Sequence, residues 1–124
     1  MSAVVRCSTQ RYNEFINTFV ADVAAGTVMP LNDIYGFPIK TVDISDEDEE
    51  TFVYKAETVE IGKKTGTGEE IERGEYVYGD PNDNYNVSAT KGSGYIYLGI
   101  AQETVTASAT VVDIEFDGTM ADLR

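Results

Sequence analysis

The side chains that most often carry chemistry at neutral pH are scarce in this sequence. There is no histidine and one cysteine, Cys7. Without His, the Ser–His and Cys–His nucleophile pairs and the His-containing zinc sites are excluded. One Cys allows neither an internal disulfide nor a multi-thiolate metal site. Arg6 beside Cys7 favours its thiolate slightly, but no base serves it, and a half-buried apolar thiol is the better reading. Carboxylates, in contrast, are abundant. The run from Asp43 to Glu50 packs six of them into eight residues, and hard cations such as Ca²⁺ want several oxygen ligands. Asp46, Asp48 and Glu50 are the candidate ligands. Adjacent carboxylates without a Gly turn seldom converge on one ion, so a solvated, self-repelling loop is the stronger reading, and no cofactor is expected.

Two other segments invite chemistry and then fail its spacing. Asp80-Pro-Asn82-Asp83-Asn84 begins like an EF-hand loop, but Tyr85 stands where that loop needs Gly and Lys91 where it needs a bidentate Glu. A hairpin turn explains it. Lys63 and Lys64 lie among Gly62, Gly66 and Gly68, yet the Lys pair precedes the later glycines, so no phosphate-binding loop can be drawn. These residues read as a flexible inter-strand loop. Asn86-Val87-Ser88 matches a glycosylation tripeptide, without a secretion signal to support its use.

The whole-chain balance narrows the function further. Across 124 residues, 22 Asp+Glu against 9 Lys+Arg leave a net charge of −13. Such a surface repels phosphate, which excludes nucleic-acid binding through a basic patch. The length suits one domain, and 42% hydrophobic residues indicate a globular chain. Arg6, Arg11 and Glu14 interrupt any N-terminal apolar core, and no apolar run reaches the roughly 18 to 20 residues that cross a bilayer. The expectation is a soluble protein made in a cytoplasm, with no membrane partner. The acid excess also suits high-salt surroundings, where screening relieves self-repulsion.

The elements that would position these residues are mostly strands. Tyr12, Phe15, Ile16, Phe19, Val20 and Val23 recur as one stripe of a helix, but Thr18 to Val23 also alternates as a strand does. Over residues 10–25 a short helix and an extended arm joining the sheet near Phe19 both remain open. Beyond Gly26, Ile34 to Ile44 is rich in β-branched and aromatic residues, and Pro38 puts it at an edge or breaks it. Thr51 to Ile61 reads as a long strand, Glu75 to Tyr78 and Tyr85 to Ser88 as short ones. Tyr95 to Gln102 sets Ile96, Leu98 and Ile100 against a smaller face. Val112, Ile114 and Phe116 alternate with Asp113, Glu115 and Asp117, the pattern of a half-buried antiparallel strand. Six to eight strands make an all-β domain: a single small antiparallel β-barrel or β-sandwich with an N-terminal arm or short helix. Residues 1–18 are read as the arm and 19–124 as the domain. Eight tyrosines, some in Tyr-x-Tyr pairs such as Tyr95/Tyr97, suit a contact face.

The order of these features resembles a family of small tailed-phage capsid decoration, or cement, proteins. Val23-Ala-Ala-Gly26-Thr-Val-Met-Pro-Leu-Asn-Asp-Ile-Tyr-Gly36-Phe-Pro-Ile is similar to their early pattern. Arg73-Gly74-Glu75-Tyr76-Val77-Tyr78-Gly79-Asp80 followed by Asn84-Tyr-Asn-Val87 resembles their Gly-Asp-x-Val-Tyr-x-Asp hairpin. Tyr97-Leu98-Gly99-Ile100-Ala101 and Val112-x-Ile114-x-Phe116 resemble their closing strands. The chain departs from the pattern in lacking the hairpin Trp, in carrying the acidic run before the long strand, and in having residues 1–18 as a longer leader. The resemblance implies a non-enzymatic virion protein on the outer capsid surface, partnered by the major capsid protein and by its own copies as a homotrimer. Tyr12, Phe15, Ile16 and Phe19 in the arm, with Tyr95 and Tyr97, are the candidate contact residues. The alternative function is a small cation- or ligand-binding β-module using the loop at 43–50.

Overall fold

The computed structural model describes residues 3–5, 12–44 and 49–121. Among them are nine strands: β1 (Val4–Val5), β2 (Tyr12–Thr18), β3 (Met29–Leu31), β4 (Ile34–Pro38), β5 (Glu49–Gly62), β6 (Tyr76–Asp80), β7 (Asn86–Ser88), β8 (Ile96–Ala101) and β9 (Val111–Asp117). Short 3₁₀ turns follow β6 and β9. All the strands join one sheet, which curls into an antiparallel half-barrel.

The 14-residue β5 is the spine. Val53 pairs with Glu14 of β2 and with Phe37 of β4, while Ala56 pairs with Tyr12 of β2 and Phe116 of β9. A strand residue has one neighbour on each side, so β2 holds one edge of β5 while β4 and β9 divide the other. From β9 the sheet continues through β8 and β6 to β7. It curls until Val87 of β7 bridges Lys63 in parallel, and the Lys64 N–H donates to the Val87 carbonyl at 3.0 Å.

The main core lies inside this curl: Phe37, Val53, Ile61, Val77, Leu98, Ile114 and Phe116 are all buried. The alternation in β9 is as the sequence suggests, with Val112, Ile114 and Phe116 inward. A second, smaller core sits on the opposite face of β5, because Phe52 and Val53 are sequence neighbours and point apart. It joins Phe52, Phe19 and Val42 to Phe15, Val23, Met29 and Ile34. Two glycines mark where backbones crowd. A Cβ at Gly99 would collide with the Glu115 carbonyl, and one at Gly36 with the Val53 carbonyl and the Phe52 ring. Both lie in the segments that resemble decoration proteins.

The structure resolves the ambiguity at the N-terminal segment in favour of a strand. Residues Tyr12–Thr18 pair along β5, bringing the Phe15 ring within 5.4 Å of Phe52 and 5.3 Å of Tyr54. A helix would have placed Phe15, Ile16, Phe19 and Val20 on one apolar stripe. Here Phe15 and Phe19 turn into the second core, while Ile16 and Val20 face solvent. The strand at Ile34 does end at Pro38, which brings no N–H to the ladder. In β8 the expected split is corrected: Ile96 through Gly99 are all buried and Ile100 is half-exposed. Tyr97 is covered on the outer face by Tyr76 and Tyr78.

Candidate functional site

The two ends of β5 carry the side chains of interest. Just past its last residue, Gly62, Lys63 is 3% exposed. Its Nζ donates to the carbonyls of Lys64 at 2.7 Å, Ala107 at 3.3 Å and Ala109 at 3.3 Å. A buried ammonium needs such acceptors. Burial pushes its pKa down, and the charges of Glu69 and Glu70 partly offset this. Lys64 points the other way, to Asp80 at 2.8 Å and Asp83 at 3.3 Å, with its Nζ 5.5 Å from the centroid of the Tyr95 ring. The hydrogen bond to Asp80 holds the Lys64 ammonium above its usual pKa. The same bond, with the Asn82 N–H at 2.9 Å from Asp80 Oδ1, holds the Asp80 carboxyl below its ordinary range.

This arrangement replaces the flexible loop expected around Lys63 and Lys64. It also explains why the EF-hand-like segment is a turn. Asp80 caps a 3₁₀ turn opened by Pro81, and its carboxylate and that of Asp83 are engaged by an ammonium. Ser88 of the glycosylation tripeptide is buried, and its hydroxyl donates to Glu69 at 2.7 Å.

At the first residues of β5 the surface is apolar. Ile16 of β2 pairs with Thr51, and the Ile39 N–H donates to the Thr51 carbonyl at 3.1 Å. The two isoleucines therefore flank Thr51 in one row across three adjacent segments. Ile16 is 62% exposed and Ile39 41%. Val20 follows just past the end of β2, where Thr18 pairs with Glu49, and is 94% exposed. Ile44 is exposed too, and its N–H donates to Asp22 Oδ1 at 3.0 Å.

The sequence-named residues are scattered by this geometry. Ile16 is at the apolar end, with Phe15 and Phe19 packed beneath it in the second core. Tyr12 heads β2. Tyr95 belongs to the opposite, lysine-bearing end, and Tyr97 is buried between Tyr76 and Tyr78. Of the candidate cation ligands, Asp46 and Asp48 lie outside the described residues. The Glu50 carboxylate accepts from the Thr51 N–H at 2.9 Å. Among the described residues no three His, Cys, Asp or Glu side chains gather as a metal site would require, and no helix is long and apolar enough to cross a membrane.

Sequence reasoning missed the exposure of Val20, Ile39 and Ile44, since Val20 fits an apolar stripe and the two isoleucines, beside a proline and an acidic run, read as ordinary strand. It also missed Lys63, whose acceptors at 107 and 109 are more than forty residues away. The comparison that decides the family is a match of the phage cement protein model to residues 8–116. The chain belongs to the phage cement proteins. The match takes in all the strands from β2 to β8 and nearly all of β9. Among curated proteins and solved structures, no match to the chain reaches significance. A cement protein is a structural protein of the phage capsid, and what matters in its structure is surfaces for contact.

Proposed function

We propose that this cement protein sits on the outer surface of the shell and stabilises it by contacts with the major capsid protein and with its own copies, as a homotrimer. The observation that carries this reading is the family match over residues 8–116. Many copies, each with a modest interface, resist internal pressure through multivalency. A surface with a net charge of −13 suits the outside of a shell, away from packaged nucleic acid.

Among the contact residues named from sequence, Ile16 is available for such a role, and Phe15 and Phe19 fix the strand that presents it. Within the segment 1–18, read as an arm, Tyr12–Thr18 is then also a strand at the edge of β5. Tyr95 and Tyr97 serve the subunit's own packing first. Two sedimentation experiments test the reading. The isolated protein is expected to sediment as a trimer, and to co-sediment with cement-free shells of its phage. A monomer would remove the trimer, and failure to bind the shells would remove the function. The acid-rich surface also supports a high-salt host. A melting temperature that climbs steeply with KCl is expected, and a salt-independent melt would contradict it.

A further inference from the structure

The exposed apolar group at the start of β5 has an acidic rim. Glu14 and Ile16 alternate onto one face of β2, across from Val53 and Thr51. Asp22 holds Ile44 at its N–H, and Asp43 precedes it. Lys40, beside Ile39, is the cation in this neighbourhood among the described residues. An apolar centre whose rim is mainly of one sign of charge favours a partner with an apolar centre rimmed by the other. From this charge complementarity we propose that Ile16, Val20, Ile39 and Ile44 form the docking surface for an apolar segment of the shell protein flanked by Lys or Arg.

A second copy of this chain fits poorly on the same patch, because its own acidic rim would face this one and like charges across an interface are repelled. Val20 is the clearest mark of the site. At 94% exposure it contributes little to the fold, and exposed apolar side chains grouped at one end of a domain mark interaction sites. The inference rests on the capsid-binding reading above, and the experiment separates the two.

Wild type, Val20→Glu and Ile39→Glu proteins are mixed with cement-free shells of the same phage at several KCl concentrations, and bound protein is measured after sedimentation. Melting temperatures of the isolated variants check that they are folded. Each variant is expected to bind about tenfold more weakly or worse, as central interface residues do, with an unchanged melt. Wild-type binding is expected to weaken as KCl rises. If wild type itself fails to bind, the capsid reading falls and this inference falls with it. If wild type binds and both folded variants bind equally well, the patch assignment alone is overturned. Binding that strengthens with salt overturns the basic partner. Variants that leave shell binding intact but dissociate the isolated oligomer assign the patch to a second copy, which also overturns the proposal. Should Ile39→Glu melt early, Val20→Glu decides.

Discussion

The two ends of β5 differ in how they spend their side chains. At Lys63 and Lys64, two charges that ordinarily face water are drawn inward and tie three separate parts of the chain together. The Lys63 ammonium holds the 107–109 loop, and Lys64 holds the turn between β6 and β7. At Thr51 the opposite holds, since isoleucines and a valine that ordinarily pack inward are left in solvent. Polar groups close one end of the strand and apolar groups remain open at the other. An end held by buried charges is specified by its own fold, whereas an exposed apolar end has a use only when something lies against it.

The largest test of that contrast concerns the second core, which carries the open end. Phe52 is fully buried between Phe15 and Phe19. Phe52→Ala is expected to cost about 3–5 kcal/mol in denaturant-unfolding experiments. A loss far below that would mean that β2 is only loosely attached and that the apolar end is not a fixed surface. At the closed end, Lys63→Met leaves three carbonyls without their donor, and a loss of about 1–3 kcal/mol is expected from the same measurement. An unchanged stability would show that the ammonium contributes no net clamp.

The pH dependence of the Lys64–Asp80 pair follows from the opposite shifts of its two partners. The Asp80 carboxyl titrates below its reference value of 3.8 in the folded protein, so its contribution is fully present above that pH and is lost as the pH falls through the lowered value. Lys64 titrates above its reference of 10.5. Its contribution is complete below 10.5 and disappears only as the pH rises through the raised value. Asp80→Asn should therefore shrink the acid limb of a stability–pH curve, and an identical acid limb would count against the ion pair. The smallest effect belongs to the open end: Val20→Glu is expected to change the stability of the isolated protein by less than about 0.5 kcal/mol, as thermal and denaturant melts would show.

What could be read from the sequence followed from how local each signal was. The alternation of Val112, Ile114 and Phe116, the stop at Pro38 and the turn opened by Asp80-Pro81 are each encoded within a few residues, and the structure has all three. The segment from Tyr12 to Val23 was ambiguous because its apolar residues fit periods of both 3.6 and 2. Pairing with β5 decides between them, and no local residue reports that partner. The lysine clamp was hidden for the same reason. Lys63 and Lys64 stand among glycines and look solvated, while their acceptors come from β6, the following turn and the loop before β9. The apolar surface is a composite of Ile16, Val20, Ile39 and Ile44, drawn from three segments that only the sheet brings to one end.

The most direct test of this polarity is a cryo-electron microscopy reconstruction of shells saturated with the protein. The account predicts density on the outer surface, with Ile16, Val20 and Ile39 turned towards the shell and Lys63 and Lys64 turned away. Density on the inner surface, or an orientation that sets the Lys64–Asp80 end against the shell, would contradict it.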